Sequence, residues 1–278
     1  MSGSAGSERG QSDWSPDQYL LFANARNRPI HDLITFLGRD YSPSSIIDLG
    51  CGPGNSTELL AKRFPNANIS GVDSSPAMLA KARKTLPSID FTQADLRTYK
   101  PPPGADLLFA NAVFQWLRHD ERISTITRLV RSLKPGGILA LQMPDNYHEG
   151  SHRAMRDMTE TSSLAPHFEH LSREQRPWLD EIEPPLAYYN ALIPHCRAVE
   201  TWTTRYVHAL DDYRDIVEWV KGTGLQPYLN ALPAHERVRA TFLEEYESRL
   251  RQEYPRARDG KVLLAYPRRF VVAYSAGF

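Results

Sequence analysis

The alternation of apolar and polar positions predicts strands and helices in regular succession along the chain. Buried strands are predicted from short, mostly apolar runs at 45–49, 68–72, 90–94, 105–110 and 138–143. Helices are predicted from apolar residues three and four apart within 13–37 and at about 55–63, 76–85 and 123–132. This succession predicts an α/β fold with a doubly wound, mostly parallel Rossmann-like sheet.

The pattern changes after residue 144. The following segment, to about residue 190, is rich in His, Glu, Arg, Pro and aromatic residues, and we expect it to cover a pocket. Two late strands, one of them antiparallel, are predicted at 198–207 and 261–274, with cap helices at about 211–220 and 233–253. The predicted divisions are a disordered leader (1–12), an N-terminal helical lid (13–44), a Rossmann-like core (45–145), an inserted helical cover (146–196) and late strands with a helical cap (197–278).

The turn after the first predicted strand carries the strongest chemical signal. Asp48 lies at the end of the strand, and Gly50, Gly52 and Gly54 alternate before the predicted helix. Alternate glycines let the backbone approach a ligand at a helix N-terminus. Asn55 stands where a dinucleotide-binding turn would have its third glycine, and Asp48 would repel a phosphate. The turn therefore favours a ligand that carries an ammonium and a sulfonium group.

Acidic residues also follow the second and third predicted strands. Asp73 comes 25 residues after Asp48, where a βαβ unit delivers an acid to a ribose diol. A purely capping role for Asp73 is disfavoured because Ser74 or Ser75 can cap the next helix. The right-handed crossover rule brings Asp95 to the same carboxyl edge, although it could also be an ordinary turn residue.

The segment 48–54, Asp-Leu-Gly-Cys-Gly-Pro-Gly, resembles the first motif of class I S-adenosylmethionine (SAM) methyltransferases. Leu-Lys-Pro-Gly-Gly before the fifth strand is another feature of that class. The resemblance implies SAM as cofactor and S-adenosyl-L-homocysteine as product, with Asp95 accepting from the adenine amino group. Met78 would be either an adenine wall or plain core. The implied cofactor residues are Asp48, Gly50, Gly52, Gly54, Asn55, Asp73, Ser74, Met78, Asp95, Leu96, Asn111 and Trp116.

The residues after the fourth predicted strand bear on the acceptor. Methyltransferases that act on the exocyclic amines of bases carry Asn/Asp-Pro-Pro-aromatic there. This chain has Ala112 and Val113 in place of the two prolines. The difference argues against methylation of bases.

Composition and charge narrow the range of partners. The 278 residues include 33 Lys and Arg and 33 Asp and Glu, so the chain lacks the basic excess that nucleic acids and anionic membranes attract. Cys51 and Cys196 have no metal-ligand spacing, so no metal site and a reducing compartment are expected. Residues 1–12 lack the apolar segment of a signal peptide. We expect a cytoplasmic monomer or weak homodimer that acts on a small molecule.

Several stretches outside the cofactor motif are similar to the trans-aconitate 2-methyltransferase family, over most of residues 13–274. They include Asp-Trp-Ser-Pro at 13–16, Arg-Asn-Arg-Pro at 26–29, Gln-Trp-Leu at 115–117, Gln-Met-Pro-Asp-Asn at 142–146 and Leu-Leu-Ala-Tyr-Pro-Arg at 263–268. The similarity implies esterification of a carboxylate of trans-aconitate or a related small polycarboxylate. The residues expected at the acceptor are Trp14, Tyr19, Arg26, Arg28, Gln115, Tyr147, Trp219, Tyr266, Arg268 and Arg269.

This chemistry needs no catalytic residue that moves a proton. A carboxylate is already ionised at neutral pH, so methyl transfer requires alignment and exclusion of water rather than a general base. Arginines would hold the carboxylates that do not react, although each could also be an ordinary surface residue. Methylation of a hydroxyl or an amine, the alternative, would need a base such as His119 or His148. A non-catalytic SAM-binding module is a further alternative.

Overall fold

The computed structural model describes residues 23–172 and 175–276, and its centre is a seven-stranded sheet. The strands are β1 (Ser45–Leu49), β2 (Asn68–Asp73), β3 (Asp90–Gln93), β4 (Leu107–Asn111), β5 (Ile138–Pro144), β6 (Cys196–Leu210) and β7 (Val262–Ser275). Their order across the sheet is β3-β2-β1-β4-β5-β7-β6; β7 pairs antiparallel with both β5 and β6, and the other pairs are parallel. The predicted doubly wound sheet with an antiparallel late strand is confirmed.

Nine α-helices surround the sheet in the described part of the chain. They are α1 (Ala23–Phe36), α2 (Asn55–Arg63), α3 (Pro76–Thr85), α4 (His119–Val130), α5 (Gly150–Thr161), α6 (Pro185–Leu192), α7 (Tyr213–Lys221), α8 (Gln226–Ala231) and α9 (Glu236–Glu253). The bounds of β1, α2 and α3 agree with the prediction, and α8 was not predicted. None of these helices has both the length and the apolar character that crossing a membrane requires.

The central strands are buried on both faces. Along β1, Ile46 packs in a cluster with α1 and α2, whereas Ile47 and Leu49 pack in another cluster with α4 and α6. Strands with helices on both sides show near-continuous apolar runs, because every side chain enters a core. This explains why the apolar runs located the strands so closely.

The two late strands extend past the carboxyl edge of the parallel strands. β5 ends at Pro144, which is paired with Arg268, whereas β6 and β7 remain paired as far as Leu210 and Val262. These outer halves pack with α5 and α7–α9 in a separate apolar cluster, which includes the fully buried Ile216. The extension therefore places a helical wall beside the end of the parallel strands.

The ends of α2 and α3 differ in how they are capped. Ser75 caps α3 as predicted, and its hydroxyl accepts a hydrogen bond from the Met78 N–H at 3.4 Å. Asn55 and Glu58 stand at capping-box spacing in the sequence, but the N-cap of α2 is Gly54, with φ of 97° and no side-chain cap. The sharp left-handed turn at Gly54 replaces the side-chain cap.

Candidate active site

A large cavity opens at the carboxyl ends of β1 to β4; we call it the glycine-loop cavity. It contains about 1890 Å3 of space, part of it open to solvent. Ten of the twelve residues predicted for the cofactor line it: Gly50, Gly52, Asn55, Asp73, Ser74, Met78, Asp95, Leu96, Asn111 and Trp116. The other two, Asp48 and Gly54, do not.

The three alternating glycines have different structural roles. All three have positive φ, at 67°, 55° and 97° for Gly50, Gly52 and Gly54. A Cβ on Gly50 would lie 2.3 Å from the Val113 side chain, and one on Gly54 would lie 3.2 Å from Leu86. A Cβ on Gly52 would meet no atom within 4 Å. The absence of a side chain at Gly52 therefore keeps the cavity open, whereas Gly50 and Gly54 permit close packing of the protein.

Two carboxylates on the cavity wall already have protein partners. Asp73 accepts hydrogen bonds from the Gly52 N–H at 2.9 Å and the Ser75 N–H at 2.8 Å, and burial raises its pKa. The Ser74 N–H is a further backbone partner, and a carboxylate with three such bonds still has acceptor capacity for a ligand hydroxyl. Asp95 accepts hydrogen bonds from the Arg97 guanidinium, which lowers the pKa of Asp95. Asp73 thus ties the glycine loop to β2 and faces the cavity at the same time.

Asp48 lies beneath the glycine loop rather than on the cavity wall. It is completely buried, and its Oδ2 accepts hydrogen bonds from the Ser56 and Thr57 hydroxyls at 2.7 and 2.6 Å. Its Oδ1 is buried with no hydrogen-bond partner among the described residues. Burial raises the pKa of Asp48 to about 6. Its side chain holds the start of α2 and places an acid under the loop, and its part in cofactor binding stays a prediction.

A second cavity adjoins the first and contains two buried arginines; we call it the arginine cavity. It contains about 650 Å3 of space and shares Asn111, Ala112 and Trp116 with the glycine-loop cavity. Its further lining residues include Arg26, Gln115, Asn146, His152, Trp219, Thr223, Gly224, Tyr266 and Arg268. No carboxylate is found among the described residues of this wall. The arrangement joins two binding spaces through a common wall.

Both arginines are held by backbone, amide and aromatic groups. Arg26 is 5% exposed, donates to the Trp219 carbonyl at 2.6 Å and lies 5.3 Å from the centre of the Trp219 ring. Arg268 is 6% exposed, donates to the Gln142 Oε1 at 3.0 Å and lies 5.3 Å from the centre of the Tyr266 ring. These contacts orient two guanidinium groups at the cavity.

Other residues predicted for the acceptor lie elsewhere. Arg28 is exposed, with its guanidinium 5.4 Å from the centre of the Tyr206 ring. Arg269 points to the opposite face of β7 from Arg268 and pairs with Asp145 at 2.9 Å. Neither arginine lines the arginine cavity. Trp14 and Tyr19 lie outside the described residues.

Tyr147 lines a smaller cavity of about 410 Å3, the side cavity, which continues from the arginine cavity. Sequence reasoning missed two residues that line both of these spaces, Asn146 and His152. Burial, with a smaller effect from Arg156, lowers the pKa of His152 to about 3, so its imidazole is neutral. Asn146 ends the family-like stretch at 142–146, which could have drawn attention to it, whereas His152 lies in no quoted motif.

The two histidines considered as bases are surface residues. The side chains of His119 and His148 are 63% and 73% exposed, and neither residue lines any of the three cavities. The His119 N–H donates to Asp180 at 2.8 Å, and the His148 ring contacts Glu181 at 2.7 Å. Both histidines therefore contact acidic residues at 180–181 and do not face a binding space.

Comparisons with known proteins agree with this geometry. The family model described as "Methyltransferase domain" matches residues 46–137. The chain is 46% identical over 262 residues to a trans-aconitate 2-methyltransferase of Rhodopseudomonas palustris strain BisB18, covering 94% of this chain and 99% of the relative. It is 48% identical over 263 residues to the protein of that name from Methylobacterium nodulans, covering 94% of this chain and 98% of the relative.

Solved structures show the same fold at low sequence identity. A putative sarcosine dimethylglycine methyltransferase from Galdieria sulphuraria is 12% identical with a TM-score of 0.54, covering 92% of this chain and 87% of that one. The YcgJ protein from Bacillus subtilis is 13% identical with a TM-score of 0.53, covering 89% of this chain and 99% of that one. These similarities concern the fold alone.

The sheet order, the glycine loop and the matched domain define a class I SAM-dependent methyltransferase. Two residues of the loop region fit that cofactor. Asp48 has a buried carboxylate oxygen with no hydrogen-bond partner among the described residues, and Gly52 leaves open space beside the loop. Within the class, the chain belongs to the trans-aconitate 2-methyltransferase family.

A side chain at Gly52 should block the cofactor without unfolding the protein. In Gly52→Val the new methyl groups enter the glycine-loop cavity, and we expect SAM affinity to fall by at least about 1.5 kcal/mol, roughly tenfold. Calorimetry with SAM measures the change. The matched control is Gly136→Val, which has a similar φ of 75° and equally open space but lies outside the cavity. Equal SAM affinity in a folded Gly52→Val protein would contradict this account of the loop.

SAM affinity should fall as the pH drops below about 6. The pKa of Asp48 is raised to about 6 in the free protein, and a positively charged ligand favours the ionised carboxylate. Below that pH, binding must displace a proton, so affinity should decrease by up to tenfold per pH unit; above it, affinity should level off. Calorimetry between pH 5 and 7 tests this expectation. Asp48→Asn should remove the dependence, and its persistence in that variant would assign it to another group such as Asp73.

Proposed function

We propose that this protein transfers the methyl group of SAM to a carboxylate of trans-aconitate or a closely related small polycarboxylate. The observation that carries the proposal is the arginine cavity, where two buried guanidinium groups adjoin the cofactor space and no described wall residue is acidic. Anionic acceptors are the ligands that such a cavity favours. The names of the relatives support the same acceptor.

The residues of the glycine-loop cavity would hold the cofactor. In this proposal Asp73 binds the ribose hydroxyls, Asp95 binds the adenine amino group, and Met78 and Leu96 form an apolar wall. When bound, SAM supplies an electrophilic methyl group on a sulfonium. Asn111 and Trp116 belong to both cavities, so we expect the reacting carboxylate beside them.

The protein contributes orientation and a dry environment. Arg26 and Arg268 fix the acceptor through carboxylates that do not react, and the aromatic walls of Trp219 and Tyr266 exclude water. Holding the reactants in line contributes about 7–11 kcal/mol where the geometry is good. An ionised carboxylate has no proton to lose, so none of these residues needs to act as a base.

Methylation of a hydroxyl or amine is less well supported. That reaction requires a base near the acceptor. His119 and His148 are exposed and outside the cavities, and the pKa of about 3 makes His152 a poor base. The cavities thus favour an acceptor that arrives already ionised.

Mass spectrometry of the products provides the direct test. The purified enzyme with SAM should form a methyl ester of trans-aconitate and much less product from monocarboxylates. Failure to methylate any polycarboxylate, or equal rates with a monocarboxylate, would contradict the proposal.

Replacing Arg268 by lysine should weaken acceptor use selectively. The guanidinium can form two parallel hydrogen bonds to a carboxylate, whereas an ammonium is a point charge, so we expect the KM for trans-aconitate to rise. An unpaired carboxylate in a closed pocket costs about 2–4 kcal/mol, so kcat/KM should fall on the order of a hundredfold. Steady-state kinetics measure both constants, and calorimetry should show nearly unchanged SAM affinity.

The neighbouring arginine is the matched control. Arg269→Lys alters a residue of the same type on the same strand, but one that pairs with Asp145 away from the cavity. Its acceptor kinetics should remain close to wild type. If both lysine variants behave alike, Arg268 has no special part in binding the acceptor.

A further inference from the structure

The side chain of Asn146 has an unused hydrogen-bond donor inside the binding space. Asn146 is 7% exposed and lies two residues beyond the end of β5. Its backbone carbonyl accepts from the Glu149 N–H at 3.0 Å, which fixes the turn that leads into α5. Its Nδ2 is buried and has no hydrogen-bond partner among the described residues. Buried amide groups in native proteins are nearly always hydrogen-bonded, so an acceptor atom is expected at this place.

Asn146 lies where the arginine cavity and the side cavity meet, and it lines both. The amide of Gln115 lines the same junction, but its Nε2 already donates to the Ala112 carbonyl at 2.6 Å. Of these two amides, Asn146 is therefore the one whose nitrogen makes no hydrogen bond within the described protein.

The charges around this junction suit an anion. Arg156 lines the side cavity, and its guanidinium lies 3.7 Å from the centre of the Tyr147 ring. The acid on that wall, Asp180, pairs with Arg176. His152 lies half-buried beside them, and its lowered pKa keeps the imidazole neutral. The wall thus presents hydrogen-bond donors and a cation rather than an uncompensated negative charge.

We infer that Asn146 forms a subsite for a further carboxylate of the acceptor, distinct from the one that reacts and the one that Arg26 and Arg268 hold. The inference rests on the proposed function and makes it more specific. One carboxylate would lie at the wall shared with the glycine-loop cavity, a second on the arginines and a third on Asn146. The subsite therefore selects tricarboxylates over dicarboxylates.

The test uses trans-aconitate and three unsaturated dicarboxylates, each with one of its carboxylates replaced by hydrogen or methyl. In Asn146→Leu, a change of similar shape, kcat/KM for trans-aconitate should fall about tenfold. For the dicarboxylate that lacks the carboxylate held by Asn146, kcat/KM should remain as in wild type, because that acceptor has nothing to lose. Asn146→Asp should lose still more on trans-aconitate, because two carboxylates would then face each other.

The matched control is Thr223→Val in the same cavity. Its hydroxyl already donates to the Val220 carbonyl at 3.3 Å, so the change should not alter the ratio between trans-aconitate and the dicarboxylates. Thermal melting of each variant identifies any that do not fold, and the Asp variant serves if the Leu variant fails.

The outcomes separate the subsite from the wider proposal. A loss of the same factor on every acceptor, or no loss on trans-aconitate, would overturn the subsite and leave carboxyl methylation standing. The same holds if the wild type uses a dicarboxylate as well as trans-aconitate. A wild type that methylates none of these acids would overturn both.

Discussion

The amide of Gln142 connects the two halves of the site. This side chain is completely buried on β5, donates through Nε2 to the Asn111 Oδ1 and accepts at Oε1 from Arg268. A neutral amide is suited to this position, because it has a donor for one neighbour and an acceptor for the other. The three residues lie on β4, β5 and β7, which are adjacent in the sheet. The spacing between the cofactor wall and the acceptor arginine is therefore set by strand pairing rather than by loops.

Strand alternation also explains why two adjacent arginines differ. Arg268 and Arg269 are both more than nine-tenths buried, but they point to opposite faces of β7. Arg269 meets the carboxylate of Asp145 and forms a buried ion pair, whereas Arg268 meets the amide of Gln142. The same residue type thus serves the fold on one face and faces the binding space on the other.

Much of the fold could be predicted from the sequence, because its central strands are buried on both sides. Apolar spacing located β1 and α2, and apolar spacing together with the Ser75 cap located α3. The short helix α8 was missed, since six residues give too little periodicity. The ends of β6 and β7 were less exact, because their outer halves depend on pairing with each other beyond the rest of the sheet.

The sequence identified some of the residues that line the cavities but not others, because it does not show in which direction each side chain points. Arg26 and Arg28 look equivalent in the sequence, but residues two apart on a helix face different ways, so only Arg26 lines the cavity. Gly52 and Gly54 look equally functional, yet only Gly52 borders open space. Asn146 ends a family-like stretch and His152 lies in no quoted motif, but for both residues the position in the cavities depends on tertiary contacts that a single sequence does not reveal.

The position of β7 has a consequence for how the protein folds during synthesis. It is the last strand along the chain, yet it lies inside the sheet between β5 and β6. Until β7 emerges, β5 has an open edge of unpaired backbone groups, and such edges invite pairing with other chains. Pairings between distant parts of a chain also form slowly. A sheet that forms before β7 is available is therefore incomplete, with an edge on β5 open to pairing with other chains.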